Sequence, residues 1–169
     1  MSLRRLPTAC TIAFALLLAG CGFHLRREAQ MPAAMQRVHI DIADPSSALA
    51  RDLAKALARS GVQVVDAGAS DVALLKISVN TLATDVLSVG GTARANEYAL
   101  RHHVEFEVLD AAGTALLPKQ TIELSREFTF DATQALGVAA ETDLLSRELE
   151  RDMVQTILRR LEALAHAGR

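Results

Sequence analysis

The chain has 169 residues, a formal net charge of −2 at pH 7, 4% aromatic residues and no tryptophan. A body this close to neutral, and slightly acidic, excludes the basic footprint of a nucleic-acid-binding protein, and its overall field will not attract an anionic lipid. The length suits one domain with a buried core, which has to be mainly aliphatic.

The first 20 residues have the organisation of a secretory signal. Arg4 and Arg5 form a positively charged start, residues 6–19 are apolar, and Ala19 and Gly20 are small. The apolar stretch is shorter than the roughly 20 residues that cross a bilayer. We therefore expect residues 1–20 to be a signal peptide that is removed, rather than a transmembrane anchor.

Residues 18–21, Leu-Ala-Gly-Cys, resemble the bacterial lipoprotein box. The resemblance implies that the Cys21 sulfur receives a diacylglyceryl group, that cleavage makes Cys21 the first mature residue, and that its new amino terminus is acylated. An ordinary signal peptide that happens to contain a cysteine is the alternative. Gly22 stands where an aspartate would resemble an inner-membrane retention signal, so the resemblance favours the outer membrane.

The cysteine content limits what holds the mature protein together. Cys10 leaves with the signal and Cys21 carries lipid, and these are the two cysteines of the chain. We therefore expect neither a disulfide nor a free thiol in the mature domain, which has to be stabilised by packing.

The chain after Cys21 divides into a tether and a domain. Residues 21–36 are polar and irregular, with Pro32 among them, and predict a lipidated tether. Residues 37–166 predict a single domain, because no repeat or low-complexity segment interrupts their apolar patterns.

The domain starts with a strand, a helix and a second extended run. Val38, Ile40 and Ile42 alternate with polar residues, as in a strand with one buried face. Ser46 or Ser47 then caps a helix whose apolar positions recur at helical spacing up to residue 57. Residues 62–65 are extended again. This order predicts a parallel strand pair with a right-handed crossover.

Two long extended regions follow, residues 72–89 and 96–110, separated by a glycine-rich turn at residues 90–92. Alternation predicts that they form a long antiparallel hairpin. In the first region it places three apolar residues on one face and three polar residues on the other: Leu75, Ile77 and Val79 against Lys76, Ser78 and Asn80.

The hairpin carries the histidines and carboxylates that are the candidates for metal binding or acid-base catalysis. His102 and His103 are neighbours and point to opposite faces, so a metal site is not predicted; a buried, hydrogen-bonded His102 is expected instead. Glu105 and Glu107 share the polar face, where a solvated surface is expected rather than acid-base chemistry. The sequence has no phosphate loop, nucleophile elbow or zinc-protease motif. We predict no enzyme and no cofactor.

The last part of the chain predicts a strand over residues 120–130 and a long helix. Arg126 shares a face with apolar strand residues, so it either reaches water at the sheet margin or contacts an anionic group. Residues 131–134 resemble a capping box. The helix after them has apolar residues every three or four positions: Leu145, Leu149, Met153, Ile157, Leu161 and Leu164.

Together these patterns predict an α+β fold in which two helices pack on one face of a four- to five-stranded mixed β-sheet with a long central antiparallel hairpin. The helix stripe also permits a coiled coil, which a single helix with mixed outward charges does not require.

Short blocks along the chain resemble the LPS-assembly lipoprotein family LptE. They include residues 21–26 (Cys-Gly-Phe-His-Leu-Arg), residues 96–98 (Asn-Glu-Tyr) and residues 128–134 before the last helix. The resemblance implies an outer-membrane lipoprotein that plugs and assists assembly of the LptD β-barrel as a heterodimer, and that helps deliver lipopolysaccharide to the outer leaflet.

Family members also bind lipopolysaccharide through basic residues near the hairpin tip and near the start of the last helix. Here Gly91 stands at the family's tip arginine position, Arg94 is the nearby candidate, and residues 136–142 contain no basic residue. We therefore expect Arg94 and Arg126 to contact lipopolysaccharide. Two alternatives stay open: a lipid-anchored carrier that acts without a barrel, and a tether with no ligand.

Overall fold

The structure, a computed structural model, describes residues 31–68, 70–89, 95–129 and 135–167. Within these ranges the chain forms five strands and two α-helices. They are β1 (Arg37–Ile42), α1 (Ala48–Arg59), β2 (Gln63–Val64), β3 (Ala73–Val89), β4 (Ala95–Leu109), β5 (Ala115–Thr129) and α2 (Ala135–Ala167).

The five strands form one mixed sheet in the order β2-β1-β3-β4-β5, and both helices pack on the same face of it. The predicted fold class is confirmed. β1 pairs in parallel with β2 and with β3, whereas β3, β4 and β5 are antiparallel. None of the described helices combines the length and the apolar character needed to cross a bilayer.

The predicted parallel strand pair with a helix between its strands is confirmed at the start of the domain. Ser47 caps α1, because its side chain accepts a hydrogen bond from the backbone N–H of Ala50 at 3.3 Å. Gly61 follows the helix with a φ of +79°, in the left-handed region that favours glycine. The extended run after it is short, since only Gln63–Val64 pair with β1.

The core also takes in residues that precede β1. Ala33–Met35 form a 3-10 helix, and the Met35 side chain is fully buried. Met31 is partly buried against the same cluster. The apolar core therefore reaches into the range 21–36 that the sequence predicts as a tether.

The long hairpin is confirmed, but β3 contains an irregularity that the sequence analysis missed. Ile77 pairs with Phe106 and Val79 pairs with Glu105, so Ser78 has no partner of its own on β4. An extra residue of this kind is a β-bulge, and it turns the side-chain alternation of the strand over.

The bulge reverses the predicted faces of β3 beyond Ile77. Val79 lies on the face of Glu105, away from the helices, whereas Asn80 pairs with Val104 on the helix-covered face. The prediction that Val79 shares a face with Leu75 and Ile77, opposite Asn80, was therefore wrong. Before the bulge the prediction holds, because Leu75 and Ile77 are buried in the core.

β5 begins at Ala115, five residues before the predicted start of the strand. Leu117 pairs with Val108 and Gln120 pairs with Phe106, which leaves Pro118 and Lys119 at a second irregularity. Proline is tolerated in this position because β5 is an edge strand. The predicted end at residue 130 and the capping box at 131–134 lie outside the described residues.

The last helix presents the predicted apolar stripe to the sheet. Leu149, Met153, Ile157 and Leu161 are each fully buried, and Leu145 and Leu164 are partly buried. The stripe packs against the sheet and α1 rather than against a second long helix, so the coiled-coil alternative does not describe this chain.

The apolar core is divided between two parts of the sheet. We call the base the part formed by β1, β2 and residues 73–77, 104–109 and 115–122, where both helices enclose one large cluster. We call the distal arm the remaining residues of the long strands, 78–89, 95–103 and 123–129. Its separate buried cluster is small and consists of Leu100, Phe128 and Leu149.

Candidate functional site

Of the three predicted site residues, the structure describes one. Cys21 and Arg94 lie outside the described residues. Arg126 lies in β5, directly opposite Leu100 and therefore on the helix-covered face of the distal arm. The predicted lipidation and the tip contact stay predictions, and the structural account of a binding site starts from Arg126.

Arg126 has an acidic partner within the chain. Its Nη2 donates to Oδ2 of Asp152 on α2 at 2.6 Å, and its Nη1 donates to the backbone carbonyl of Ser125 at 3.1 Å. The two side chains remain 42% and 51% exposed. Arg126 thus both reaches water at the sheet margin and contacts an anionic group, but that group belongs to the protein.

A small cluster of apolar and aromatic side chains lies on the same face of the sheet as Arg126. The Tyr98 and Phe128 rings stack, with centroids 5.5 Å apart and planes 16° apart. Leu100 and Leu149 complete the small buried cluster, with Leu124 packed against it. Because this cluster joins β4, β5 and α2, it fixes the helix over the arm and brings Asp152 to Arg126.

His102 is buried in the distal arm, as predicted, with 2% of its surface exposed. Its Nε2 donates to Oδ1 of Asn80 at 2.8 Å, a contact that exists because the bulge turns Asn80 to the helix-covered face. Nδ1 has no hydrogen-bond partner among the described residues. Burial lowers the pKa of His102. The nearby backbone of Leu149 raises this pKa, but by a smaller amount.

The opposite face of the arm carries a ladder of charges. Arg101 bonds Asp85 on β3, at 2.9 Å from Nε to Oδ2, and also Glu123 on β5. The hydrogen bonds to these two carboxylates raise the pKa of Arg101, and Asp85 has the larger effect. His103 stands between Glu105 and Glu123, with 3.6 Å from a ring nitrogen to each carboxylate.

The two glutamates considered for acid-base chemistry each have a basic partner on this face. Glu105 binds Lys119, and this hydrogen bond lowers the pKa of Glu105 and raises that of Lys119. Glu107 lies 3.8 Å from the Nζ of Lys76. The described residues contain no group of three potential metal ligands. The face therefore presents paired charges to water, an arrangement suited to a polar surface.

The distal arm and the helix α2 that covers it also expose large apolar side chains. Leu82, Val86 and Leu87 of β3 are 40%, 55% and 46% exposed, and Leu144 of α2 is 49% exposed. Leu82 and Val86 lie on the helix-covered face, opposite His102 and Tyr98 in register. In the base, by contrast, Val64 is the one comparable side chain among the described residues.

A shallow depression of about 520 Å³ lies at the opposite end of the molecule, between the 3-10 helix and the turn that joins β4 to β5. Its polar groups serve local structure. Asp110 accepts hydrogen bonds from the backbone of Ala112 and Thr114, and Arg37 donates to the Ser70 carbonyl. The polar side chains of this depression are therefore engaged in local hydrogen bonds to the backbone, rather than arranged for catalysis.

Comparison with known proteins decides the family. A family model described as "LptE: Lipopolysaccharide-assembly" matches residues 35–161. This range contains all five described strands, the whole of α1 and most of α2. The chain belongs to the LptE family. The resemblance noted in the sequence is thereby confirmed.

Individual members and solved structures agree with this assignment. An LPS-assembly lipoprotein LptE of Photorhabdus laumondii is 29% identical over 90% of this chain and 82% of its own length. That of Pectobacterium atrosepticum is 31% identical over 86% and 79%. The solution structure of an uncharacterized lipoprotein B from Nitrosomonas europaea is 30% identical, with a TM-score of 0.73 over 87% of this chain and 94% of that one.

The LptE-family sheet contains two features that sequence reasoning did not find. The Arg126–Asp152 pair joins residues on different elements, and no local pattern links them. The ladder around Arg101 was readable in part, since alternating charges mark the polar face of β4, but its partners on β3 and β5 depend on register.

Proposed function

We propose that this LptE-family chain is an outer-membrane lipoprotein, anchored through lipid on Cys21, that plugs and assists assembly of the LptD β-barrel and helps deliver lipopolysaccharide to the outer leaflet. The observation that carries the proposal is the family match over residues 35–161. Relatives with 29% and 31% identity are named LPS-assembly lipoproteins.

The surface chemistry of the sheet supports a place inside a barrel. Large membrane barrels enclose polar, water-filled interiors. The helix-free face of the sheet pairs its charges in the plane of the surface, through Arg101, Lys119 and Lys76 with their carboxylates. A domain with such a face can occupy a polar lumen, because it leaves few charges that would have to lose water without a partner.

Barrel association is tested by purifying the full chain from membranes in mild detergent. The expected result is a stoichiometric LptD subunit that stays bound through gel filtration. A lone monomer would contradict the plug role and would favour the carrier or the tether without a ligand. The lipid anchor raises the local concentration of the domain at the barrel, so the individual contacts need only be modest.

The anchor is tested separately by mass spectrometry of the native protein. We expect a mature chain that begins at Cys21 and carries a diacylglyceryl group and an amide-linked acyl chain. Cys21→Ala removes the thiol that accepts lipid, and the protein should then leave the membrane unless the barrel retains it. An unmodified protein with a differently trimmed start would contradict the proposal.

Lipopolysaccharide contact through Arg94 and Arg126 is the finest part of the proposal. Since Asp152 already neutralises Arg126, a phosphate ligand has to displace or share that carboxylate. Arg94→Ala with Arg126→Ala should weaken lipopolysaccharide capture, whereas Asp152→Asn should strengthen it by freeing the guanidinium. Equal capture by the double variant, Asp152→Asn and the parent chain would remove both arginines from the binding site.

A further inference from the structure

The part of β3 that belongs to the distal arm lies between two irregularities. On the base side Ser78 is an extra residue without a partner on β4, and on the far side Leu87 is skipped between the pairs of Val86 and Ser88. Between these two points residues 79–86 pair with β4 without a break. The register of this segment is therefore set by where the extra residue stands, because no uninterrupted ladder connects it to the base.

Apolar packing distinguishes the two faces of this segment only weakly. Leu82 and Val86 lie on the helix-covered face, but they remain 40% and 55% exposed. The opposite face carries residues of similar character, with Val79 and Ala83 on it. A strand whose two faces are alike has no strong preference for the register that turns one of them to the core.

Two polar contacts distinguish the faces more sharply. On the helix-covered face, Oδ1 of Asn80 accepts a hydrogen bond from the buried His102 at 2.8 Å. On the opposite face, Oδ2 of Asp85 accepts from Nε of Arg101 at 2.9 Å. Both contacts require the extra residue to stand at position 78, because a shift of the strand by one residue turns each of these side chains to the other face.

A second register can form without any change in the base. When the extra residue moves from position 78 to the irregularity at position 87, residues 79–85 advance by one position along β4. Thr81 then lies opposite His102, where its hydroxyl can replace the amide of Asn80 as hydrogen-bond partner. Leu82 moves from the helix-covered face to the opposite face.

We propose that residues 79–85 have two registers against β4, exchanged when the extra residue moves between positions 78 and 87, and that the polar contacts of Asn80 and Asp85 select the register observed. The exchange determines on which surface of the distal arm Leu82 is presented. The inference rests on the pairing within the sheet and does not depend on the proposed barrel role.

Cysteine bridging in membranes that contain the full chain tests the two registers. Thr84 pairs with Leu100 in the observed register and lies opposite Ala99, on the other face, in the second. Thr84→Cys is therefore combined with either Leu100→Cys or Ala99→Cys. A short bifunctional thiol reagent then joins cysteines that lie directly opposite each other, roughly 5 Å apart on one face. Trypsin leaves the two cysteines on peptides 77–94 and 95–101, so mass spectrometry identifies each bridge.

The parent chain should give mainly the 84–100 bridge. Asn80→Ala together with Asp85→Ala should lower this bridge and raise the 84–99 bridge several-fold, because both selecting contacts are gone. Glu123→Ala is the matched control, since it removes the carboxylate that Arg101 binds on β5 and leaves β3 unchanged. The control should give the same two bridges as the parent chain.

Deletion of Ser78 separates a register shift from a loss of pairing. Without the extra residue, the observed register continues directly from the base, and there is no bulge to move. In this deletion chain Asn80→Ala with Asp85→Ala should therefore leave the 84–99 bridge at the level of the parent. A rise there would mean that the strand end detaches from β4, and it would overturn the proposal.

Other outcomes also overturn it. An 84–99 bridge that stays low in the Asn80 and Asp85 variant, while the 84–100 bridge persists, would show that the register is fixed without these contacts. Loss of both bridges would mean that the strand separates from β4 instead of shifting. Equal amounts of both bridges in the parent chain would mean that no register is selected. An equal rise with Glu123→Ala would assign the effect to the charge of Arg101 rather than to β3.

Discussion

The base and the distal arm belong to the same three long strands, but they are held by different amounts of apolar packing. In the base both helices enclose the sheet, and residues from β1, β3, β4 and β5 meet in one buried cluster. In the arm α2 alone covers the sheet, and the buried cluster is limited to a few side chains around Phe128. The difference indicates that the base determines the fold, whereas the arm presents surfaces for contact.

The largest effect should come from opening the base. Phe106 is fully buried in the large cluster, so Phe106→Ala is expected to lower the free energy of unfolding by about 3–5 kcal/mol. Urea denaturation measures the loss. Leu144→Ala, at an exposed site, is the control and should change it by less than about 0.5 kcal/mol. A loss at Phe106 no larger than that of the control would contradict the role given to the base.

The matching change in the arm should cost less and act locally. Phe128 retains some exposure and packs in a small cluster, so we expect Phe128→Ala to lower the free energy of unfolding by about 2 kcal/mol. Amide exchange should speed up in residues 95–103 and 123–129 while the base stays protected. Equal loss of protection throughout would show that arm and base unfold as one unit.

A pH dependence of stability near the ordinary pKa of histidine is expected from His102 in the arm. Burial lowers the pKa of His102 in the folded chain, so below its ordinary value of 6.5 the unfolded chain takes up the proton first. Stability rises with pH wherever the unfolded state binds more protons. The contribution of His102 is therefore complete above about pH 6.5 and is lost as the pH falls below it.

Unfolding measured at several pH values checks this dependence. His102→Gln should remove that part of the stability loss, whereas His103→Gln, on the opposite face, is the matched control and should keep it. The same pH profile in all three chains would exclude His102 as its source.

The smallest effect is expected at the margin of the arm. The Arg126–Asp152 pair is exposed, and exposed ion pairs contribute at most about 1 kcal/mol. A double-mutant cycle with Arg126→Ala and Asp152→Ala should give a coupling energy below that value. A larger coupling would mean that this pair, rather than the apolar cluster, fixes α2 over the arm.

The parts of the fold that follow a single periodicity were predictable. The alternation of apolar residues in β1 and β4 and the apolar stripe of α2 show which face of each element is buried. This buried face can be identified from the sequence residue by residue. The buried and bonded state of His102 followed in the same way, because it occupies an apolar position on β4.

The missed features depend on pairing rather than on periodicity. The bulge at Ser78 inverts the pattern of β3, and nothing in the local sequence distinguishes a bulge from a strand that continues regularly. The start of β5 at Ala115 was missed as well, because the tolerance of Pro118 within the strand depends on β5 lying at an edge of the sheet. The partner of Arg126 stands 26 residues away on another element, so only the packed structure brings them together.

Pro118 and the charges of β5 also limit how the molecule can grow. A sheet that is unprotected on both sides can add copies indefinitely and become a fibre. In this chain β5 carries Pro118 and several charges, which disfavour the addition of a further strand on that side. Strand pairing at another edge therefore cannot continue through β5 into an open-ended polymer.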